Sequence, residues 1–228
     1  SLYGLYPHEK KALIINGLSI EFNNPELLKE LETMLTSHGY RVDVINGTDV
    51  TLDAYKRMFD GGYNLIIIRV HSAPGEGVLV PRSSVVFFTS ERTNVDKYFA
   101  EQVAGYVVKA RTLTRKESFY AITPSFIRST PGSLDGAVVI VLSCFGMIGG
   151  DMPKAFIYKG ASVYIGWNGY VTPSYMDEAG LALVKHLVID GYTVSEAVES
   201  VMQEYGSDPY HGSELEYYPL NKGDLRLS

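Results

Sequence analysis

Two kinds of hydrophobic pattern alternate along the chain. Residues 12–16 (ALIIN) and 65–70 (LIIIRV) are short, nearly continuous apolar runs rich in β-branched side chains. Continuous rather than alternating hydrophobicity is what a strand buried on both faces of a parallel sheet requires. Between them the period changes to that of a helix. Asn24 offers an N-cap with Pro25 at the first helical position, and Leu27, Leu28, Leu31, Met34 and Leu35 share one face before Gly39 ends the pattern. Residues 40–45 follow as a second strand. Thr51 can cap a second helix whose Leu52, Tyr55, Met58 and Phe59 share a face, and Gly61 and Gly62 then precede the run at 65–70. The order is βαβαβ at normal spacing.

The rhythm then breaks. Residues 78–133 predict an insertion over one sheet edge: a hairpin at 78–89, a short helix at 94–103, and extended pieces at 106–113 and 119–127. It returns with a fourth sheet strand at 137–142 and a helix from about Met152, for which Asp151 is a fair N-cap and Pro153 an acceptable first-turn residue. Residues 161–167 predict a fifth strand. An amphipathic helix spans 175–189 through Met176, Ala179, Leu183, Leu187 and Val188. Thr193 and Glu196 form a capping box for a last helix lined by Ala197, Val198, Val201 and Met202. The organisation expected is one domain, with a linker at 1–9, the insertion at 78–133 and a tail at 209–228. No internal repeat or low-complexity tract is present.

Composition narrows the class. A chain of 228 residues, 46% hydrophobic and 20% charged, buries a substantial core. A net charge of −6 and a pI near 5.4 argue against general binding to nucleic acid or anionic membranes, which needs clustered positive charge. No apolar span reaches about 18 residues, so no membrane span is expected. The chain opens SLYGLY without an initial Met. That reads as a processed product: a soluble protein, cytoplasmic or secreted after removal of a preceding segment. A single cysteine forms no internal disulfide and is either a packing residue or a nucleophile.

Candidate chemistry sits at two strand ends, where open α/β sheets place their ligands. Residues 138–150 (VVIVLSCFGMIGG) end a buried strand at Cys144 and dissolve into glycines, and His71 ends the run at 65–70. A thiolate nucleophile gains from a neighbouring imidazole and from backbone N–H groups at a tight turn. The N–H groups of Cys144 and Ser72 could stabilise an oxyanion if the two strands are adjacent. Gly146, Gly149 and Gly150 would leave room for a substrate backbone. Other readings stay open here. GMIGG could cradle an anion, but it lacks G-x-x-x-x-G-K-[ST] and G-x-G-x-x-G. His8, His38, His186 and His211 have no ligand-like spacing, so neither metal nor cofactor is expected. Ser143 is not in G-x-S-x-G.

Residues 10–17 (KKALIING), the strand GYRVDVIN, residues 65–77 (LIIIRVHSAPGEG) and VIVLSCFGMIGG resemble, in order and spacing, the caspase-like cysteine peptidases, a superfamily that includes caspases, gingipains, separase and CHAT domains. The likeness covers roughly residues 10–205. It implies a three-layer αβα sandwich with a flavodoxin-like, mostly parallel sheet and an extended insertion between strands three and four. It also implies a Cys144–His71 dyad hydrolysing peptide bonds of a protein or peptide substrate, with Ser72 and Cys144 forming the oxyanion hole. Two departures stand out. The family places Gly after the His where this chain has Ser72, crowding a turn that prefers free φ/ψ. The caspase signature has its His about 50 residues upstream of the Cys, whereas the gap here is 73 residues, which the insertion accounts for.

Caspases read aspartate through an Arg after strand one, a Gln two before the Cys and an Arg after strand five. Leu142 replaces the Gln, and no Arg lies between Gly17 and Leu28 or between Gly166 and Glu178. A buried substrate carboxylate without a cationic partner is costly. Glu21, Asp151 and Asp177 near the expected pocket point instead to a basic P1 residue, with Ser143, Trp167 and Asn168 as further substrate-binding candidates. Arg111, Arg115, Lys116 and Arg128 mark a candidate processing segment. Three readings follow: a cysteine endopeptidase, a catalytically silent caspase-like interaction module, and a flavodoxin-like small-molecule-binding domain in which Cys144 and His71 are unrelated.

Overall fold

The computed structural model describes residues 9–76, 80–94, 96–112 and 116–227. Residues 1–8 of the expected linker at 1–9, the first residues of the expected hairpin (Val78 and Leu79), Leu113 and the candidate processing residue Arg115 lie outside that description.

The chain begins with β1 (Lys10–Asn16), α1 (Pro25–Ser37), β2 (Tyr40–Asn46), α2 (Leu52–Lys56) and β3 (Leu65–Arg69). The two expected caps are formed: the Asn24 side chain accepts from the Leu27 N–H and that of Thr51 from the Ala54 N–H. β4 (Ser72–Pro74), β5 (Val85–Arg92), α3 (Phe99–Val103), β6 (Val107–Ala110), β7 (Phe119–Ile122) and α4 (Pro124–Ser129) follow. β8 (Val138–Leu142), α5 (Asp151–Tyr158), β9 (Val163–Trp167), α6 (Pro173–Val188), α7 (Val194–Tyr205) and β10 (Leu215–Tyr218) complete the described elements. The Thr193–Glu196 capping box opens α7 as expected.

The main sheet has the order β10-β9-β8-β3-β1-β2, parallel except for β10. This is the doubly wound, three-layer architecture expected from the sequence. Alternate side chains of the central strands divide between two cores. Ala12, Ile14, Leu65, Ile67, Val138 and Ile140 pack under α1, α6 and α7. Leu13, Ile15, Ile66, Ile68, Val139 and Val141 face α2, α4, α5 and the inserted strands. Each of these β-branched or Leu side chains is essentially inaccessible, and burying one contributes about 1.5–3 kcal/mol.

The insertion is more than an edge covering. β4, β5, β7 and β6 form a second, antiparallel sheet in that order. Val85, Phe87, Tyr120 and Ile122 from it join the core on one face of the main sheet. Three local expectations are corrected. Residues 119–127 are not one extended piece, because the Thr123 hydroxyl caps the Phe126 N–H and Pro124 starts α4. Only residues from Phe99 onward in the 94–103 stretch are helical. Gly150, in the left-handed region at φ 72°, caps α5, while Asp151 is its first residue.

Candidate active site

Parallel pairing of β3 with β8 aligns Arg69 with Leu142. His71 and Cys144 therefore leave adjacent strands at equivalent positions, two residues beyond the last pair. The chain then diverges. After His71 it enters β4 of the second sheet, where the His71 carbonyl accepts from the Phe88 N–H at 2.9 Å and Gly75 donates to the Ser84 carbonyl at 2.8 Å. Antiparallel ladders alternate bonded and non-bonded pairs. Ser72 falls on a non-bonded position of that ladder, which turns its N–H away from β5.

Ser72 bridges the two strand ends. Its hydroxyl donates to the Cys144 carbonyl and accepts from the Ser143 hydroxyl. Ser72 lies in extended strand backbone rather than the left-handed region, so the glycine expected there is not needed for backbone freedom. Ser143 is 1% exposed. It cross-links the strand ends from inside, a correction to its assignment as a substrate contact.

His71 Nε2 lies 3.3 Å from the Glu21 carboxylate. Phe22 and Phe88 stand edge-on to the imidazole, with ring centroids 5.9 and 6.1 Å away. The Cys144 thiol donates to the Val171 carbonyl at 3.7 Å and packs against the core under α1, α6 and α7. Burial pushes its pKa up, and the negative charge of Asp208 adds to the rise. Phe145, next in the chain, adopts φ 55°, a conformation costing a bulky L-residue about 1–2 kcal/mol. Its N–H donates to the Gly169 carbonyl at 2.8 Å and its ring meets Tyr170 at 4.3 Å.

The glycines after Cys144 serve the fold more than a substrate. A Cβ on Gly149 would lie 1.5 Å from the Ser83 carbonyl oxygen, so the insertion's own backbone fills that space. Two other expected substrate residues, Trp167 and Asp177, are also corrected, and a third, Asn168, lies exposed. Trp167 is fully buried against Tyr175, making it core rather than a pocket wall. Asn168 ties the end of β9 to the C-terminal segment, donating to Glu216 at 2.7 Å and accepting from the Glu214 N–H at 2.9 Å. Asp177, 5% exposed, takes both ends of the Arg69 fork, at 2.7 and 2.8 Å. Its charge is neutralised where a pocket acid was expected. Asp151 lines a different cavity, of about 220 Å³, with Ser84 and Arg128.

Asp208 had no sequence signal, and Glu21, expected near the pocket, had none that tied it to His71. Glu21 follows a 3-10 turn after β1 with no local motif linking it to His71. Asp208, 2% exposed, accepts from the N–H groups of Thr172, Tyr210 and His211, so it fixes the loop whose Val171 carbonyl meets the thiol. Among the described residues no group of three or more His, Cys, Asp or Glu side chains is placed to hold a metal ion, and no helix is long and apolar enough to cross a membrane.

No protein-family model and no curated protein sequence matches the chain. Solved structures do. The fold is similar to that of the Arg-specific cysteine proteinase gingipain R, with a TM-score of 0.52 and 12% identity over 86% of this chain and 42% of that one. It is similar also to the complex of pro- and mature domains of RgpB from Porphyromonas gingivalis, with a TM-score of 0.50 and 10% identity over 87% of this chain and 44% of that one. The chain spans under half the length of these structures. The likeness is one of fold: a three-layer α/β sandwich with a mostly parallel sheet, similar to that of gingipain R.

Proposed function

We propose that the chain is a cysteine endopeptidase with Cys144 as nucleophile and His71 as its acid–base partner. The observation that supports this most is the β3–β8 register, which brings these two residues off neighbouring strand ends, joined through the Ser72 hydroxyl. The thiol proton passes to His71 as the sulfur attacks the scissile carbonyl. The developing oxyanion is held by the N–H groups of Ser72 and Cys144, and His71 returns the proton to the leaving amine. Water then hydrolyses the thioester. Glu21, facing Nε2, leaves Nδ1 as the ring nitrogen that exchanges the proton, a division of labour set by the partner of the opposite nitrogen. Because burial raises the thiol's pKa, the resting nucleophile is a neutral thiol deprotonated during attack rather than a preformed ion pair.

A basic P1 residue remains part of this reading, supported by the Arg specificity of the gingipain relative and by the absence of a cationic group where caspases bind aspartate. With Asp177 paired to Arg69, the acid that bears on the thiol is Asp208. The test is turnover of fluorogenic peptides ending in Arg, Lys, Asp or Asn by the purified protein and by Cys144→Ala. Cleavage after Arg or Lys, abolished in Cys144→Ala, is expected; cleavage after Asp alone rejects the basic preference.

The thiol's burial and its hydrogen bond to Val171 favour a second reading, a caspase-like interaction module without turnover. Iodoacetamide separates the two. A peptidase thiol alkylates near neutral pH and slows in His71→Ala, whereas a packing cysteine is inert in both.

A further inference from the structure

We propose that Arg69 is a positioning residue for the acid–base pair, holding Glu21 against His71 through a buried network that Asp177 anchors. The inference rests on the peptidase reading.

Arg69 ends β3, two residues before His71, and is 2% exposed. An unpaired guanidinium there would cost several kcal/mol, and each of its three nitrogens has a partner. Nε and Nη2 donate to the two Asp177 oxygens at 2.7 and 2.8 Å, a bidentate fork that the ammonium of Lys cannot reproduce. Nη1 donates to Asn16 Oδ1 at 2.9 Å. Nη2 also donates to the Phe22 carbonyl at 2.9 Å. That last contact gives the network a functional direction. Phe22 follows Glu21, so one peptide carries both groups that face the imidazole: the carboxylate 3.3 Å from Nε2 and the ring edge-on at 5.9 Å. Asn24 closes the loop from the other side, donating to Asp177 Oδ2 at 3.0 Å while its own oxygen caps α1.

The network therefore fixes residues 21–24 at both ends against β3 and α6. A pair of apolar side chains could fill the same space with equal or better stability. What they could not supply is a donor aimed at the Phe22 carbonyl. The Glu21 and Phe22 N–H groups both donate to the Leu18 carbonyl, at 3.1 and 2.7 Å, so the 3-10 turn restrains the near side of this loop; Arg69 holds its far side, at the Phe22 carbonyl. The acid at residue 177 expected from the sequence to read the substrate instead serves the guanidinium that aims the loop.

The test compares Arg69→Lys, the volume-conserving double variant Arg69→Met/Asp177→Leu, and Glu21→Ala. The readouts are kcat, KM, thermal midpoint and the ring-nitrogen NMR shifts of His71, which report its tautomer. With Glu21 held at Nε2, the Nε2–H tautomer dominates in the parent protein. Expected for the double variant are a thermal midpoint within a few degrees of the parent, KM within about twofold, kcat lowered on the order of 10- to 100-fold, and a mixed tautomer matching Glu21→Ala. Adding Glu21→Ala then costs little more, because the two act on one step. If the double variant fails to fold, Arg69→Lys keeps the charge and gives the same tautomer shift with a smaller loss of kcat. Unchanged tautomer and kcat in folded Arg69→Lys overturns the proposal, as do losses that multiply with Glu21→Ala. The tautomer readout needs no turnover. A parent protein that cleaves no peptide rejects the peptidase reading, while a His71 tautomer indifferent to Arg69 rejects the positioning role.

Discussion

The two strand ends that meet at Cys144 and His71 share a register and little else. On the Cys144 side, the chain turns back on the main sheet. Phe145 takes a left-handed backbone, Met147 donates to the Trp167 carbonyl, and the half-buried thiol lies against the core under α6. On the His71 side, the chain leaves the main sheet altogether and becomes the edge of the second one. The imidazole sits between a ring from the loop after β1 and a ring from β5, beside a carboxylate from that same loop. One side is held by its own turn and the loop after β9; the other is assembled from the loop after β1 and the second sheet. The difference teaches where this site is vulnerable: the candidate nucleophile depends on the main sheet and one loop, the candidate base on parts of both sheets.

The largest effect expected is at the reacting atoms. Cys144→Ala and His71→Ala each lower peptide hydrolysis about a thousandfold or more, and their combination costs little beyond either alone. Steady-state rates with unchanged circular dichroism check this. Equal and independent losses would mean that the two ends do not act together.

Gly149→Ala attacks the seam itself. A Cβ 1.5 Å from the Ser83 oxygen at φ 61° forces the Cys144 turn and the insertion apart. A loss of about 2–4 kcal/mol in stability is expected, read from denaturant unfolding. A well-tolerated alanine would show that the insertion docks loosely.

Glu21→Gln probes the assembled side only. Removing the charge beside Nε2 lowers kcat/KM on the order of 10- to 100-fold without altering iodoacetamide access to Cys144. Ser72→Ala probes the bridge between the sides. Losing its hydroxyl leaves Ser143 without that acceptor, for about 1 kcal/mol of stability. Ser72→Gly adds about 0.5–1 kcal/mol of backbone entropy. A Gly variant more active than the parent would mean that the hydroxyl obstructs the oxyanion position.

The smallest effect is a pH slope. Burial and the Asp208 charge hold the folded Cys144 thiol above its unfolded pKa of about 8.5. A folded pKa raised this way contributes stability that is present below the unfolded value and is lost as pH rises above it. Between pH 8 and 10 the parent protein therefore loses more stability than Cys144→Ala does, a difference that denaturant titrations at the two pH values measure.

How far the chain's own pattern reaches is visible in particular residues. The caps at Asn24, Thr51 and Thr193, the split of Leu13 and Ile14 between two cores, and the strand-end positions of His71 and Cys144 are all legible, because they depend on neighbours within a few residues or on strand periodicity. Asp177 shows the limit. Its acidity and its place on α6 are plain in the sequence, yet its partner lies 108 positions away on β3, and only that pairing decides whether it faces a substrate or a guanidinium. Trp167 and Gly149 fail for the same reason. Their roles are set by what packs on them, Tyr175 and the Ser83 backbone.

Local chemistry thus determined the elements of the main sheet, their order and the two strand-end residues proposed to react. Tertiary structure decided the rest: that the insertion joins residues 72–74 in a second sheet, that Glu21 stands against His71, and that Arg69 and Asp177 neutralise each other beneath them. The physical reason is range. Periodicity and capping act over one or two turns, whereas a buried charge takes its meaning from whichever group the fold places within about 3 Å of it.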